Sequence, residues 1–392
     1  MNNLIRQLLN GNEAAAAAAR LAKIEVMAAY PITPASGVME GLSRHIAAGE
    51  LRCNFIRVES DHSALASLIG AALCGVRTFS ATNSQGLAYM SELLYHASGL
   101  RLPVVMAVVN RALSAPHSRF PEHGDAMAQE ASGWIQLYCE NNQEVLDTLL
   151  QAFYLAEDEQ VSLPAMVNYE SYIQSHTREV VEVPAQEEVD AFLPRRLQAW
   201  LDVEHPRGIN VVTGPELYMD YKYAQDEALQ RALAVCGQVN EAFAARFGRD
   251  WGGAAEGYRL EGAELAMVTM GSMAATARMA VDQLRDEGQK VGLLKVRLFR
   301  PFPAPRILRM LVGVQTVLVI DRNIIYGSGG ALAREVRSVL SHQSDTPVYS
   351  FIAGLGGREV GTGDLVKMYH DARQAQASGK KPAPYAWYGL TG

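Results

Sequence analysis

The sequence predicts an α/β protein made of two doubly wound blocks with mostly parallel sheets, and three observations carry that reading. Short apolar runs alternate with helical stretches, the pattern of strands covered on both faces by helices. The alternation fails between Thr177 and Tyr258, where proline, charge and aromatic residues mix, and resumes at Glu264. The chain has 392 residues, and at roughly 100–200 residues per domain that length suits two or three domains.

In chain order, Asn12-Glu13 ahead of an alanine run predicts a helix with an Asn cap and an acid in its first turn, ending near Ala22. Ile24–Tyr30 reads as a buried strand, stopped by Pro31-Ile32-Thr33-Pro34, which neither continues a strand nor starts a helix before Pro34. There follow a helix at Ser36–Ala48, a strand at Asn54–Val58, a helix at His62–Ala72, a strand at Thr78–Ala81, a helix at Gly86–Ser98 and a strand at Pro103–Val109. Gln143–Glu157 reads as a helix and Ala165–Tyr169 as a strand, closing a first domain at 1–176. Residues 177–258 read as a connector with one long helix near Tyr223–Arg246. The second domain, 259–392, runs strand LAMVTMG, helix Met273–Glu287, strand KVGLLKV, helix Pro303–Leu311, strand TVLVIDR, turn Gly327–Gly330 and helix Ala331–Leu340, with an irregular tail SGKKPAPYAWYGLTG.

Composition narrows the function. Lys and Arg number 35 against 42 Asp and Glu, a net charge of −7, and without a clustered basic surplus nucleic acid is not expected as a partner. Cys53, Cys74, Cys139 and Cys236 stand far apart with no CxxC, so neither a zinc finger nor an iron–sulfur ligand run is encoded. The N-terminus lacks the basic-then-apolar layout of a secretion signal and no apolar run is long enough for a membrane span, so a cytoplasmic protein is expected. His45, His96, His342 and His370 lack spaced acidic or thiol partners, and no metal site is expected on this chain. Gly327-Ser328-Gly329-Gly330 lacks the full GxGxxG frame of a dinucleotide site and reads as a tight strand-to-helix turn. The 14 methionines are explained by core filling.

In doubly wound domains ligands sit outside the carboxyl ends of strands, near the topological switch point. That rule nominates the turns YPITP (Tyr30–Pro34), RVESDH (Arg57–His62), ATNSQG (Ala81–Gly86) and VNRALSAP (Val109–Pro116) as one binding rim.

These turns, the loop PHSRFPEHGDAM (Pro116–Met127) and the later KVRLFRPFP (Lys295–Pro303) closely resemble, in this order, the alpha subunit of thiamine-diphosphate-dependent 2-oxoacid:ferredoxin oxidoreductases of the pyruvate:ferredoxin oxidoreductase type. The resemblance implies a pyrimidine-binding-type first domain and a transketolase C-terminal-like second one. It also implies companion chains: a beta-type subunit binding the thiamine pyrophosphate with Mg²⁺, a gamma-type subunit, and a delta-type subunit with iron–sulfur clusters. The implied reaction is CoA-dependent oxidative decarboxylation of a 2-oxoacid, with electrons passed to the clusters and on to ferredoxin or another acceptor.

The resemblance also assigns roles. Glu59 matches the family's catalytic glutamate, whose carboxyl bonds the pyrimidine ring and favours its reactive tautomer; a buried apolar setting that raises its pKa would suit that work. The chain has Asp61-His62 where relatives commonly show Glu-His, and Asp61 is the alternative carboxylate if Glu59 points away. Thr33 and Arg111 match residues that hold the substrate carboxylate, for which a guanidinium fork and a hydroxyl are chemically apt. Pro31, Ile32, Ser84, Gln85 and Asn110 are the expected cofactor contacts. Relatives commonly carry a Trp and an Asp-His pair where this chain has Phe120-Pro121-Glu122-His123, and His117 and Arg119 replace residues that are often apolar. The substrate therefore stands open between pyruvate, a bulkier or aromatic 2-oxoacid such as phenylglyoxylate, and 2-oxoglutarate. A non-catalytic scaffold paralogue and a self-contained nucleotide-binding oxidoreductase are the alternatives from other classes.

Overall fold

A seven-stranded sheet and a six-stranded sheet form the body, and a two-stranded ribbon flanks the first. The computed structural model describes residues 5–196, 199–206, 208–341, 345–379 and 382–391, so His342 and Lys380-Lys381 lie outside the described residues.

The first part of the chain runs β1 (Ile5–Leu9), α1 (Gly11–Leu21), β2 (Val26–Ala29), α2 (Ser36–Ala47), β3 (Asn54–Arg57), α3 (Asp61–Leu73), β4 (Thr78–Thr82), α4 (Ser84–Tyr89), α5 (Ser91–Gly99), β5 (Val105–Asn110), α6 (Gly124–Met127), β6 (Ile135–Tyr138), α7 (Asn142–Glu157) and β7 (Ala165–Glu170). Asn10, rather than Asn12, caps α1: its side chain accepts from Glu13 N at 2.9 Å while Glu13 Oε2 accepts from Asn10 N at 3.0 Å. The reciprocal pair needs the acid at the third helical position, which selects Asn10. Asn12 is instead buried, bonded to the Pro34 carbonyl and the Tyr169 hydroxyl. The run Ala14–Ala19 is buried throughout, and its small side chains admit close neighbours; a Cβ on Gly41 of α2 would come 2.7 Å from Ala16 Cβ. The helix expected at Gly86–Ser98 is two helices, parted at Met90.

The remainder runs β8 (Glu179–Val183), α8 (Gln186–Phe192), α9 (Pro215–Phe247), β9 (Ala255–Tyr258), β10 (Leu265–Thr269), α10 (Met273–Asp286), β11 (Val291–Val296), β12 (Leu298–Arg300), α11 (Ala304–Met310), β13 (Thr316–Asp321), α12 (Ala331–Ser341), β14 (Val348–Ile352), α13 (Thr362–Ala377) and β15 (Ala386–Trp387). The described residues between 177 and 258 thus hold more secondary structure than one long helix. β8 pairs antiparallel with β1, α9 begins eight residues before the expected Tyr223, and β9 joins the second sheet antiparallel to β11. The tail also contributes a strand, with β15 parallel to β14.

The first sheet has the order β12-β6-β7-β5-β4-β2-β3, and the second β15-β14-β13-β10-β11-β9. The strands from β6 to β3 are parallel. From β2 the chain passes to β3 on one side and then crosses to β4 on the other, so the switch point lies outside the carboxyl ends of β2 and β4.

Two features join the halves. β12 leaves the second sheet's neighbourhood and pairs antiparallel with β6, extending the first sheet. Just before it, buried Lys295 contacts Glu140 at 2.9 Å and Glu144 at 2.8 Å, while buried Arg297 donates to Glu144 at 3.0 Å. Charges removed from water in this way are tolerable only because each finds its partner.

The Gly327–Gly330 turn leads into α12, as expected for a strand-to-helix turn. The amides of Leu332 and Ala333 at the start of that helix bond the buried Asp321 carboxylate, at 2.9 and 3.1 Å. A Cβ on Gly330 would sit 2.0 Å from Asp321 Cγ. The place where a dinucleotide phosphate would bind is filled by the chain's own carboxylate. Among the described residues no helix is long and apolar enough to cross a membrane.

Candidate active site

Because β2, β3, β4 and β5 are parallel neighbours, the turns after them emerge along one edge of the sheet. Thr33, Glu59, Ser84-Gln85 and Arg111 come from these four turns.

Arg111 joins three of the turns. Its Nη1 donates to the Thr33 carbonyl and its Nη2 to Gln85 Oε1 at 2.8 Å. Gln85 Nε2 donates to Ser114 Oγ at 2.7 Å, and Ser114 Oγ lies 2.8 Å from His117 Nδ1. Thr33, Gln85, Arg111 and His117 thereby form one hydrogen-bonded chain at the switch point. Arg111 meets the backbone of Thr33 rather than its side chain, and Arg111 Nε is buried with no partner among the described residues. A planar guanidinium with N–H groups still available can take a carboxylate. Ser84 is buried and bonds inward to the Ala112 carbonyl.

Glu59 follows β3 and is exposed, and its Oε1 accepts from Ser63 Oγ. This hydroxyl, with a bond from the backbone, holds the carboxyl below its ordinary value. The buried, pKa-raising setting expected for Glu59 is therefore not found among the described residues: β3 is the border strand of its sheet, and Glu59 beyond its end is exposed. Asp61 has the opposite environment: it is buried and accepts from Thr82 Oγ1 at 2.7 Å, and burial raises its pKa. The carboxylate facing out of the rim is Glu59, and Asp61 is committed to β4. A cleft of about 720 Å³ reaching Val58, the residue before Glu59, is lined by Tyr30, Pro31, Met39 and Phe55 together with the charged Glu40, Arg44 and Arg57. Ile32 is half-buried against the core.

Asn110 and Phe120 are held by other parts of the chain. Asn110 is fully buried beneath the rim, donating to Asp125 at 2.8 Å and Asn168 at 3.2 Å. Phe120 packs on Tyr172, with ring centroids 4.9 Å apart, and against Gly357 of the second domain, where an added Cβ would come 2.4 Å from Phe120 Cβ. Gly357 has φ +79° and needs that bare Cα for this approach.

Two buried carboxylates escaped the sequence reading. Asp125 accepts from Ser84 N at 2.9 Å, Arg111 N at 3.0 Å, Asn110 Nδ2 at 2.8 Å and Ala126 N at 2.8 Å. It fastens the turn after β4 to the turn after β5, and burial raises its pKa. Glu170, at the end of β7, lies 2.9 Å from His123 Nε2 and 2.9 Å from Arg322 Nη1, and accepts from Ser272 Oγ. Burial alone would push Glu170 up, but Arg322 and His123 more than offset it and hold the carboxyl at about 2. The signal for Glu170 was an acid ending an apolar strand; for Asp125 it was no more than an acid opening a short helix. Between them, Glu122 is pushed up to about 7 by burial and by the neighbouring Asp125.

The rim fits one side of a thiamine site on the chemistry of its polar groups: an outward carboxylate at Glu59, and the amide atoms of Asn83, fully buried at the Asn83–Gln85 turn with no partner among the described residues. Among the described residues no group of three His, Cys, Asp or Glu is arranged to hold a metal ion.

Comparison with known proteins shows the family to which the chain belongs. The family model described as pyruvate flavodoxin/ferredoxin oxidoreductase, thiamine diphosphate-binding, matches residues 17–241, and that of pyruvate:ferredoxin oxidoreductase core domain II matches 263–365. Pyruvate synthase subunit PorA of Methanothermobacter thermautotrophicus is 45% identical over 91% of this chain and 92% of its own length. Ketoisovalerate oxidoreductase subunit VorA of Pyrococcus horikoshii is 41% identical over 99% of both. Among solved structures, 2-oxoglutarate:ferredoxin oxidoreductase from Magnetococcus marinus, with 2-oxoglutarate, coenzyme A and succinyl-CoA bound, superimposes with a TM-score of 0.73 at 19% identity. That match covers 94% of this chain and 65% of the neighbour's, and it shows the shared fold.

Proposed function

The chain belongs to the pyruvate:ferredoxin oxidoreductase family, and on that premise we propose that it is an alpha-type subunit supplying the pyrimidine side of a shared thiamine diphosphate site. The complex it serves decarboxylates a 2-oxoacid oxidatively to acyl-CoA and CO₂, with pyruvate as the first substrate to test. The observation that carries this is the exposed Glu59 at the end of an edge strand, beside the hydrogen-bonded chain Thr33–Arg111–Gln85–His117.

When bound, thiamine diphosphate supplies the nucleophilic carbon and the electron sink for decarboxylation. Glu59 holds a proton at the pyrimidine ring nitrogen, a task for which its carboxyl must rise from the lowered value it has in the lone chain. A docked companion removes water from Glu59 and raises it. Arg111 binds the substrate carboxylate with the N–H groups not given to Thr33 and Gln85, and Thr33, which is exposed, contributes its hydroxyl. Pro31 and Ile32 wall the ring, and Ser84 and Gln85 fix the adjoining turn. Asn110 acts one layer deeper, through Asp125. The pyrophosphate, its Mg²⁺ and the iron–sulfur clusters belong to beta-, gamma- and delta-type companions, with ferredoxin or a similar carrier as acceptor.

Arg119 lies close enough to Arg111 to weigh on its charge, and this second cation keeps a larger or dicarboxylic 2-oxoacid in the test. The experiment uses the intact complex purified through this chain without oxygen. Viologen reduction is followed with CoA and pyruvate, branched-chain 2-oxoacids, 2-oxoglutarate or phenylglyoxylate, for wild type and Glu59→Gln. A substrate-dependent signal that collapses in the variant is expected, largest with pyruvate. Full activity in Glu59→Gln removes Glu59 from this role, and silence with every 2-oxoacid in a cofactor-loaded complex favours the scaffold reading.

A further inference from the structure

Helix α9 is 33 residues long, yet only its later part is packed. Its buried apolar positions, Ala228, Ala232, Val235, Val239, Phe243 and Phe247, follow helical spacing and begin at the fourteenth residue. The thirteen residues before them extend about 20 Å at 1.5 Å per residue. They carry Leu217, Tyr218, Met219, Tyr221 and Tyr223, all exposed, with Met219 at 78% and Tyr223 at 65%. These side chains fall on every side of the helix. Glu216, Asp220 and Lys222 stand between them, so the surface is apolar and charged by turns, and Tyr and Met are among the residues that protein interfaces favour.

The segment leading into it has the same character, with Val203, Val211 and Val212 exposed. Trp200 N and Leu201 N bond the Leu73 carbonyl at the end of α3, and Asn210 bonds His96 of α5 at 2.9 Å, so the approach is fixed to the body. From His96 the surface continues along α5 past exposed Tyr95 to Glu92, which lies 3.6 Å from His62. His62 packs on exposed Tyr89, with ring centroids 5.6 Å apart, and stands three residues from Glu59. One aromatic surface therefore runs from the rim to the arm.

We propose that the arm, residues 199–206 and 208–224, is a docking element for the same companion chain that covers Glu59, so that one partner is gripped at the rim and along the arm together. This rests on the reading of the rim given above. Charge selects the occupant: by sequence, residues 199–224 carry Asp202, Glu204, Glu216 and Asp220 against Arg207 and Lys222, an acidic excess of two. A second copy of this chain would set these acids against each other across a symmetric contact, whereas a companion with a basic, apolar face meets them favourably. Contiguity with the rim selects the thiamine-completing companion among chains of that kind.

The test uses the complex of this full chain with its co-expressed beta-type companion. Glu216→Lys/Asp220→Lys is expected to weaken companion binding at least tenfold at low salt, with a shallower salt dependence, and Leu217→Ala/Tyr221→Ala to weaken it comparably at all salt concentrations. The unfolding midpoint of the isolated variant chain stays as in wild type, since the altered side chains are exposed. Amide exchange across 199–224 slows when the companion binds. Companion binding within twofold of wild type overturns the proposal, as does an effect of the variants on self-association alone. Glu59→Gln separates the two readings: loss of turnover with full companion binding upholds the rim, whatever the arm variants do, and companion binding that depends on the arm without any thiamine-dependent turnover upholds the arm alone.

Discussion

Arg322 of the second domain donates to the Glu170 carboxylate of the first at 2.9 Å, in a site where both side chains are almost wholly buried. Nearby, the Arg322 carbonyl accepts from His123 N at 2.9 Å and Gly357 N donates to the Pro121 carbonyl at 3.1 Å. The second domain therefore holds the end of the loop His117–His123, in which substrate choice is expected to lie.

Arg322→Met leaves Glu170 buried and short of its cation, a change that costs about 3–5 kcal/mol. The native pair also has a defined pH signature. Glu170 falls from an ordinary 4.5 to about 2 on folding, so its stabilisation is complete above pH 4.5 and is lost as pH falls from there towards 2. Urea unfolding at pH 7, 4 and 3 should show wild type converging on the variant with acid; a constant gap contradicts the assignment.

Glu122 has the opposite sign. Its carboxyl rises from 4.5 to about 7, so the stability linked to its proton is present below pH 4.5 and is lost as pH rises through 7. Glu122→Gln removes that loss. The thermal midpoint of the variant should gain on wild type between pH 5 and pH 8, and an unchanged difference would falsify the environment described for Glu122.

Arg111→Lys replaces a planar fork spanning Thr33 and Gln85 with a single ammonium. The expected result is a KM for the 2-oxoacid raised by about tenfold, in keeping with a lost charge-assisted bond, with the unfolding midpoint unmoved. A change in kcat at constant KM argues instead for a role in the chemical step.

Asp125→Asn turns an amide N–H₂ towards two N–H donors, whichever way it is flipped, because each carboxylate oxygen accepts two bonds. A cost of about 1–3 kcal/mol follows from the unsatisfied donors. Faster amide exchange at Ser84 and Arg111 should accompany it; if exchange there is unaltered, Asp125 does not fasten the two turns.

Strands buried on both faces were legible because they must be almost wholly apolar: Val105–Val109 of the rim and Val317–Ile320 of the second sheet have few other ways to fold. β1 and β8 were not, since each is half-exposed and acquires its strand character from a partner some 170 residues away. β12 is three residues long and sits against a proline, so nothing local marks it. The candidate site divides similarly. Thr33, Gln85 and Arg111 stood in turns that could be ranked by motif, and they meet. Asp125 and Glu170 work through donors far along the chain, from Ser84 and from Ser272 and Arg322, and no spacing rule links them.

The excursion of β12 into the first sheet bears on how such a gene can be divided. A chain whose second half supplies the border strand of the first half's sheet is not two beads on a string, and a cut in the exposed stretch 201–206 should yield fragments that stay married after purification. Expressed alone, a fragment ending before Leu298 would show the flank of β6 bare, an open edge inviting aggregation. Gene fission that kept both products soluble would have to leave Leu298–Arg300 with the first half, or replace it.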